Sequence, residues 1–141
     1  MKIILASANK KKAFELRALL PASFEIVTLN DIGITEDIPE TGNSFEDNAM
    51  QKARYVYERT GADVIADDSG LEVKALKGAP GIFSARYAGE QKNDDDNIRK
   101  LLKALRNKDD RKANFRCVIA LIFKGVEYAF EGRCNGSIIY S

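Results

Sequence analysis

Apolar positions along this chain fall into short runs of two different spacings, and the spacing changes wherever small or polar residues cluster. Ile3, Ile4, Leu5 and Ala6 form an unbroken apolar stretch, short enough to read as a buried strand over residues 2–6. Ser7-Ala8-Asn9 interrupts it, and Ala13, Leu16 and Leu20 then recur at helical spacing from Lys10 until Pro21 stops the pattern. Residues 24–29 give a second strand. Residues 31–43, with Gly33, Pro39 and Gly42, form a loop long enough to need a function. Ser44-Phe45-Glu46-Asp47 opens a helix as a capping pattern, and Phe45, Ala49, Ala53 and Val56 give it an apolar stripe that Gly61 closes.

Val64-Ile65-Ala66 begins another apolar run, but here two adjacent carboxylates, Asp67 and Asp68, intervene before Ser69-Gly70-Leu71-Glu72-Val73. An apolar run stopped by acids reads as a buried strand that delivers carboxylates to a rim. Side chains alternate across a strand, so the two aspartates face one ligand only if the backbone bends, and Ser69-Gly70 is where a bend is expected. Beyond it Gly78-Ala79-Pro80-Gly81 turns the chain. Asp94-Asp95-Asp96 starts a helix, with acids at the positive end of its dipole and Ile98, Leu101, Leu102 and Leu105 expected to face inward. Residues 115–123 and 126–134 predict a hairpin around Lys124-Gly125. No repeat, low-complexity tract or domain linker interrupts the series, so a single domain over residues 1–141 is expected.

Composition narrows the chemistry. The 141 residues, 45% apolar and 30% charged, suit one soluble core, and a formal charge of +1 gives no long-range pull toward a nucleic acid polymer or an anionic membrane. The longest apolar run, residues 117–123, is too short to span a bilayer, and the first five residues lack the length of a signal peptide, so a cytoplasmic location is expected. Cys117 and Cys134 have the spacing of neither a zinc site nor a disulfide framework and read as small core residues. Histidine is absent, which removes Ser/Cys-His catalysis and imidazole metal ligands. Carboxylate, lysine, hydroxyl and metal remain.

Three segments carry that chemistry. Asp67 and Asp68 suit a hard cation such as Mg²⁺ with sites left for phosphate oxygens and water, although an acidic turn that caps backbone amides is the plainer reading. The loop Ser7-Ala8-Asn9-Lys10-Lys11-Lys12 places free amides at a helix N-terminus, where an anion is favoured. Lysines oppose the dipole there, so Lys10, Lys11 and Lys12 together make more sense around an anion than as a solvated basic turn, the plainer alternative. The loop lacks the glycines of a P-loop or a dinucleotide fingerprint. In the third segment, Asn48 and Lys52 lie one helical turn apart and address one polar ligand, with Glu40 as a further carboxylate; alone, it reads as a capped amphipathic helix.

Together these segments resemble the inosine triphosphate pyrophosphatase-like family, nucleoside triphosphate pyrophosphatases that act on deaminated purines. The likeness runs from Lys2 to about Ser137. It rests on Ala6-Ser7-Ala8-Asn9-Lys10-Lys11-Lys12, on Glu40-Thr41-Gly42 with Phe45, Asn48, Ala49 and Lys52-Ala53-Arg54, on Ala66-Asp67-Asp68-Ser69-Gly70-Leu71, and on residues 78–87. The resemblance implies an α/β fold with a mixed central sheet flanked by helices, and Mg²⁺-dependent hydrolysis of dITP, ITP and XTP to nucleoside monophosphate and pyrophosphate. It implies that Ser7, Asn9 and Lys12, helped by Lys52, bind the triphosphate, and that Glu40 and Asp68 hold Mg²⁺ with support from Asp67. Asp68 would be the proton acceptor, Ser69 would touch substrate, Arg86 would lie near phosphate, and a homodimer is the family expectation.

Family members continue past the position of Ser141 into a Phe-Gly-Tyr-Asp stretch, a lysine and a Ser-His-Arg stretch that grip the base. The expectation is therefore a chain lacking its C-terminal segment. Two other classes stay open on the residues: a nucleotide-binding remnant without turnover, and a receiver-type signalling domain, whose acidic pair would follow the first strand, where this chain has Ser7-Ala8-Asn9.

Overall fold

The computed structural model describes residues 1–7, 10–89 and 92–139, Lys10 by its backbone alone. The described residues form strands β1 (Lys2–Leu5), β2 (Glu25–Thr28), β3 (Val64–Val73), β4 (Lys112–Phe123) and β5 (Val126–Ser137) and helices α1 (Lys10–Leu19), α2 (Phe45–Thr60) and α3 (Asp94–Ala104). The sheet runs in the order β2-β1-β3-β4-β5. β1 pairs in parallel with β2, Ile3 opposite Ile26, and in parallel with β3, Leu5 opposite Ile65. With β4 and β5 joined as a hairpin the sheet is mixed, the α/β architecture expected.

Contacts divide the chain into two compact units. The first comprises Met1–Asp68 and Val118–Phe130; the second takes in Ser69–Cys117 and the chain from Glu131 onward. In the first unit Ile3, Leu5, Ala13 and Ile26 are buried together, with Leu16, Leu20, Phe24 and Ile65 packed around them. Ala13 has no bulk to hold α1 off the strands, and the Ala13, Leu16, Leu20 spacing supplies the inward line. α2 buries Phe45, Ala49, Ala53 and Val56, each at most 2% exposed. Its start is fixed locally, because the Ser44 hydroxyl accepts the Asp47 amide at 3.0 Å. The hairpin turn places Lys124 at φ 50° and Gly125 at φ 78°, the left-handed pair that matches strand twist. Gly125 takes that conformation without a Cβ clash, and the Lys124 amide is held by Asp63 Oδ1 at 2.9 Å.

In the second unit Val73, Leu101, Leu105 and Ala113 form the core, packed by Leu71, Ala75, Leu76, Tyr87 and Ile138. The Asn93 side chain caps α3 by accepting the Asp96 amide at 3.0 Å, ahead of the acidic first turn.

Three expectations change. Ile98 is 54% exposed, because it lies one turn ahead of Leu101, past the edge of the cluster that Leu101 and Leu105 reach. Cys134 is exposed rather than core, since it sits on β5, every residue of which is exposed; Cys117 is half-buried. β3 does not stop at its acids but continues for five residues beyond Asp68, to Val73.

Candidate active site

β1 ends at Leu5, and the next amide, that of Ala6, still donates to the Ile65 carbonyl at 2.9 Å. From there the chain leaves the sheet through Ser7 while β3 runs on. Asp67 and Asp68 therefore stand just past the carboxyl end of β1, the edge at which parallel α/β sheets present ligand-binding groups. The rim that the sequence suggested is real, but it is made by the end of β1 and not by a break in β3.

Alternation along β3 is unbroken from Val64 to Leu71. Val64, Ala66, Asp68 and Gly70 are buried, and Ile65, Asp67 and Ser69 between them are half-buried. No bend at Ser69-Gly70 turns the two carboxylates to one side, so they face opposite sides of the strand.

Asp67 faces α1. Ile65, two residues earlier on that side, packs in the cluster around Ala13, and the Lys12 ammonium one residue before Ala13 donates to Asp67 Oδ2 at 2.5 Å. The Asp67 side chain is 16% exposed and that of Lys12 37%. Asp67 Oδ1 is buried without a hydrogen-bond partner among the described residues. Ser7 is half-buried and lines a cavity of about 470 Å³ together with Arg17, Thr28, Asn30 and Thr35. Lys11 is exposed. Ala8, Asn9 and the Lys10 side chain, the other members of the expected phosphate loop, lie outside the described residues.

Asp68 faces α2, along which the preceding loop is fastened in reverse order. The Gly42 amide donates to Asn48 Oδ1 at 2.7 Å. The Thr41 amide donates to Gln51 Oε1 at 2.8 Å, and Gln51 Nε2 returns a bond to Thr41 Oγ1 at 3.0 Å. Lys52 Nζ meets Glu40 Oε1 at 3.4 Å. The approach is close enough that a Cβ on Gly42 would stand 2.5 Å from Asp47 Cβ and 2.9 Å from Asn48 Oδ1, so only glycine fits.

Asn48 is not free to address a ligand, as its place beside Lys52 suggested. At 1% exposure it is a buried bracket for the Glu40 loop. Gln51 and Gly42 were not singled out for these roles in the sequence. A glycine six residues before the bracket and a glutamine one turn after it are the only traces they leave there.

Asp68 is 8% exposed, and its Oδ2 is buried without a hydrogen-bond partner among the described residues. Burial pushes its carboxyl from the usual 3.8 up to about 6; Lys52 and an Asn48 hydrogen bond pull it back down, and the charges of Glu40 and Asp67 push it further up. A carboxylate near pH 6 changes protonation in the range where general bases work.

Whether these residues suit Mg²⁺ is tested by their unsatisfied atoms. Asp67 Oδ1 and Asp68 Oδ2 are hard, anionic oxygens buried without donors among the described residues, the condition in which a cation or a proton is wanted. Among the described residues no three acidic, cysteine or histidine side chains converge, so Glu40, Asp67 and Asp68 do not form one cage. Mg²⁺ is commonly held by one or two carboxylates with water and phosphate completing its shell, so Asp68 with Glu40 fits it.

Ser69 and Arg86 belong to the second unit. Arg86 ends a 3₁₀ helix over Gly81–Arg86, its guanidinium 5.5 Å from the centre of the Phe83 ring. Ser84 fixes that helix to β3, accepting the Leu71 amide at 2.8 Å and donating to the Gly81 carbonyl at 2.6 Å.

Residues 3–141 match the Ham1 family. A dITP/XTP pyrophosphatase of Flavobacterium johnsoniae is 53% identical over 138 residues, covering 98% of this chain and 72% of that protein. The dITP/XTP pyrophosphatase of Porphyromonas gingivalis is 51% identical, covering 97% of this chain and 71% of its own length. Among solved structures, the Ham1 protein of Staphylococcus aureus superposes with a TM-score of 0.91 at 41% identity, covering 99% of this chain and 73% of that one. A HAM1 protein from Coxiella burnetii gives 0.93 at 39% identity, covering 100% and 74%.

Proposed function

Because the chain belongs to the Ham1 family, we propose that it hydrolyses deaminated purine nucleoside triphosphates, dITP, ITP and XTP, to nucleoside monophosphate and pyrophosphate. The observation that carries this reading is Asp68: a nearly buried carboxylate, raised to about 6, with an unsatisfied oxygen, standing where a lysine, a second carboxylate and a fastened loop meet.

In this mechanism a water attacks the α-phosphorus, the bond to the bridging oxygen of the β-phosphate breaks, and pyrophosphate leaves with that electron pair. Asp68 takes the proton of the attacking water. Lys12 turns from Asp67 toward the phosphates, and Lys52 holds charge on the side of Glu40; both stabilise the negative charge that builds on the departing group. Ser7, Asn9 and the α1 amides bind the triphosphate oxygens. Ser69 and Arg86 contact substrate and phosphate. Asp68 and Glu40, with support from Asp67, would hold Mg²⁺, whose chemistry there would be neutralisation of phosphate charge and acidification of water.

The protein works in the cytoplasm as a homodimer. None of its described helices is long and apolar enough to cross a membrane. The deciding measurement is the product formed from inosine triphosphate. Equimolar inosine monophosphate and pyrophosphate are expected, dependent on Mg²⁺. Orthophosphate with inosine diphosphate, or no turnover, would overturn the reading.

A further inference from the structure

Asn48 on α2 faces both the Glu40 loop and Asp68 of β3. Its carbonyl oxygen receives the Gly42 amide at 2.7 Å, and the same side chain lies close enough to Asp68 to hold its carboxyl down. An asparagine amide has an acceptor end and a donor end, and here each is turned to a different segment. The acceptor fixes the backbone two residues after Glu40. The donor end is left on the side of the Asp68 carboxylate, whose Oδ2 has no partner among the described residues.

Glu40 and Asp68 repel each other, and Lys52, already paired with Glu40, is the cation between them. A loop carrying one of two like charges tends to swing toward water unless something uncharged ties it to the strand carrying the other. Asn48 is such a tie, and at 1% exposure it is not there for solubility.

We propose that Asn48 is a positioning residue that sets the separation and orientation of Glu40 and Asp68 by bonding the Gly42 amide with one end of its side chain and the Asp68 carboxylate with the other. Gln51 fastens the same loop one residue earlier and, among the described residues, hydrogen-bonds Thr41 and no residue of β3. Asn48 and Gln51 thus separate the task of holding the loop from the task of aligning it with the carboxylate.

The kinetic arm rests on the pyrophosphatase reading; the other two arms do not. Asn48→Leu keeps the branched skeleton and removes both polar ends, and Asn48→Ser serves as a second variant where the larger leucine does not fold. Gln51→Ala is the comparison. Hydrogen exchange at the Gly42 amide is expected to rise at least about tenfold in the Asn48 variant and less than about threefold in Gln51→Ala. Mn²⁺ affinity, measured by calorimetry on the full chain, is expected to fall about tenfold in the Asn48 variant and to hold within about threefold in Gln51→Ala. With inosine triphosphate, kcat should fall at least about thirtyfold at a KM within about threefold of the original, the signature of an alignment made for the transition state.

A KM that rises in step with the activity loss, or wild-type kcat in a folded Asn48 variant, would overturn the proposal. If the unaltered chain turns nothing over, the pyrophosphatase reading fails and the exchange and Mn²⁺ arms decide alone. Unchanged Gly42 exchange or unchanged Mn²⁺ affinity then overturns the positioning role.

Discussion

The two faces of β3 at Asp67 and Asp68 treat adjacent carboxylates in opposite ways. On the α1 face, Asp67 meets the Lys12 ammonium directly at 2.5 Å, and its charge is answered by a whole opposite charge. On the α2 face, Asp68 meets an amide, a lysine already paired with Glu40, and two further negative charges, so burial wins and its carboxyl rises to about 6. One residue of sequence separates an ion-paired carboxylate from one whose carboxyl burial raises to about 6. Strand alternation is the cause, since a period of two guarantees that neighbours see different helices.

The largest break of this symmetry is expected in turnover. Asp68→Asn keeps the shape and loses the proton acceptor, so kcat should fall at least ~10²-fold, whereas Asp67→Asn should cost less than ~10-fold by loosening Lys12 alone. In the unaltered chain the rate should climb with pH as Asp68 ionises, the midpoint lying below about 6 because Mg²⁺ at the same carboxylate favours its charged form, and that limb should disappear in Asp68→Asn. Steady-state assays of pyrophosphate release across pH 5 to 8 test both statements, and equal losses in the two variants would abolish the distinction between the faces.

Lys12→Ala probes the other face. In the proposed mechanism the lysine exchanges a protein carboxylate for phosphate oxygens, so its loss should weaken inosine triphosphate by about 1.5–3 kcal/mol and leave inosine within ~0.5 kcal/mol. Calorimetry with the two ligands reads the difference. Equal weakening of both would make Lys12 a structural partner of Asp67 and nothing more.

The Glu40 loop gives the third effect. Gly42→Ala forces a methyl against Asp47 Cβ and Asn48 Oδ1 at 2.5 and 2.9 Å, which should destabilise the protein by about 1–3 kcal/mol in urea titration. It should also carry a turnover loss, since the displaced loop bears Glu40. Gly33→Ala, with nothing within 4 Å of the added carbon but φ 78°, reports backbone strain alone. A loss no larger than that of Gly33→Ala would show that the loop has room to move.

Much of this was legible in local chemistry. Ser44 before Asp47, the acids opening α3 and Lys124-Gly125 each specify a cap or turn through atoms a few residues apart, and the structure holds them where the sequence placed them. Lys12, Glu40, Lys52 and Asp68 were nominated by residue type. Their pairing was not legible, because Lys12 meets Asp67 across 55 residues and Thr41 meets Gln51 only after the loop folds back. A bend at Ser69-Gly70 gave glycine's freedom too much weight against the ladder, for β3, a hydrogen-bonded neighbour of β4, stays extended to Val73 even past the end of β1. Exposure at Ile98 and Cys134 depends on where a core ends, which spacing along one element does not encode.

The smallest effect is thermodynamic and has the opposite sign from the catalytic one. A carboxyl raised from 3.8 to about 6 in the folded chain holds its proton more tightly folded than unfolded, so its contribution favours the folded state below pH 3.8. As pH rises through about 6 that contribution is lost, and above pH 7 the folded chain carries a buried charge it would be more stable without. The shift sets a ceiling of about 3 kcal/mol. Asparagine also leaves Lys52 with one negative neighbour fewer, so about 1–2 kcal/mol should remain. Urea titrations of Asp68→Asn without divalent cations should therefore show a variant more stable than the parent at pH 7.5, with the advantage shrinking between pH 6 and 4 and gone below that. A variant that is less stable at pH 7.5 would mean that Lys52 and Asn48 already satisfy Asp68, and that the two faces of β3 are electrostatically alike.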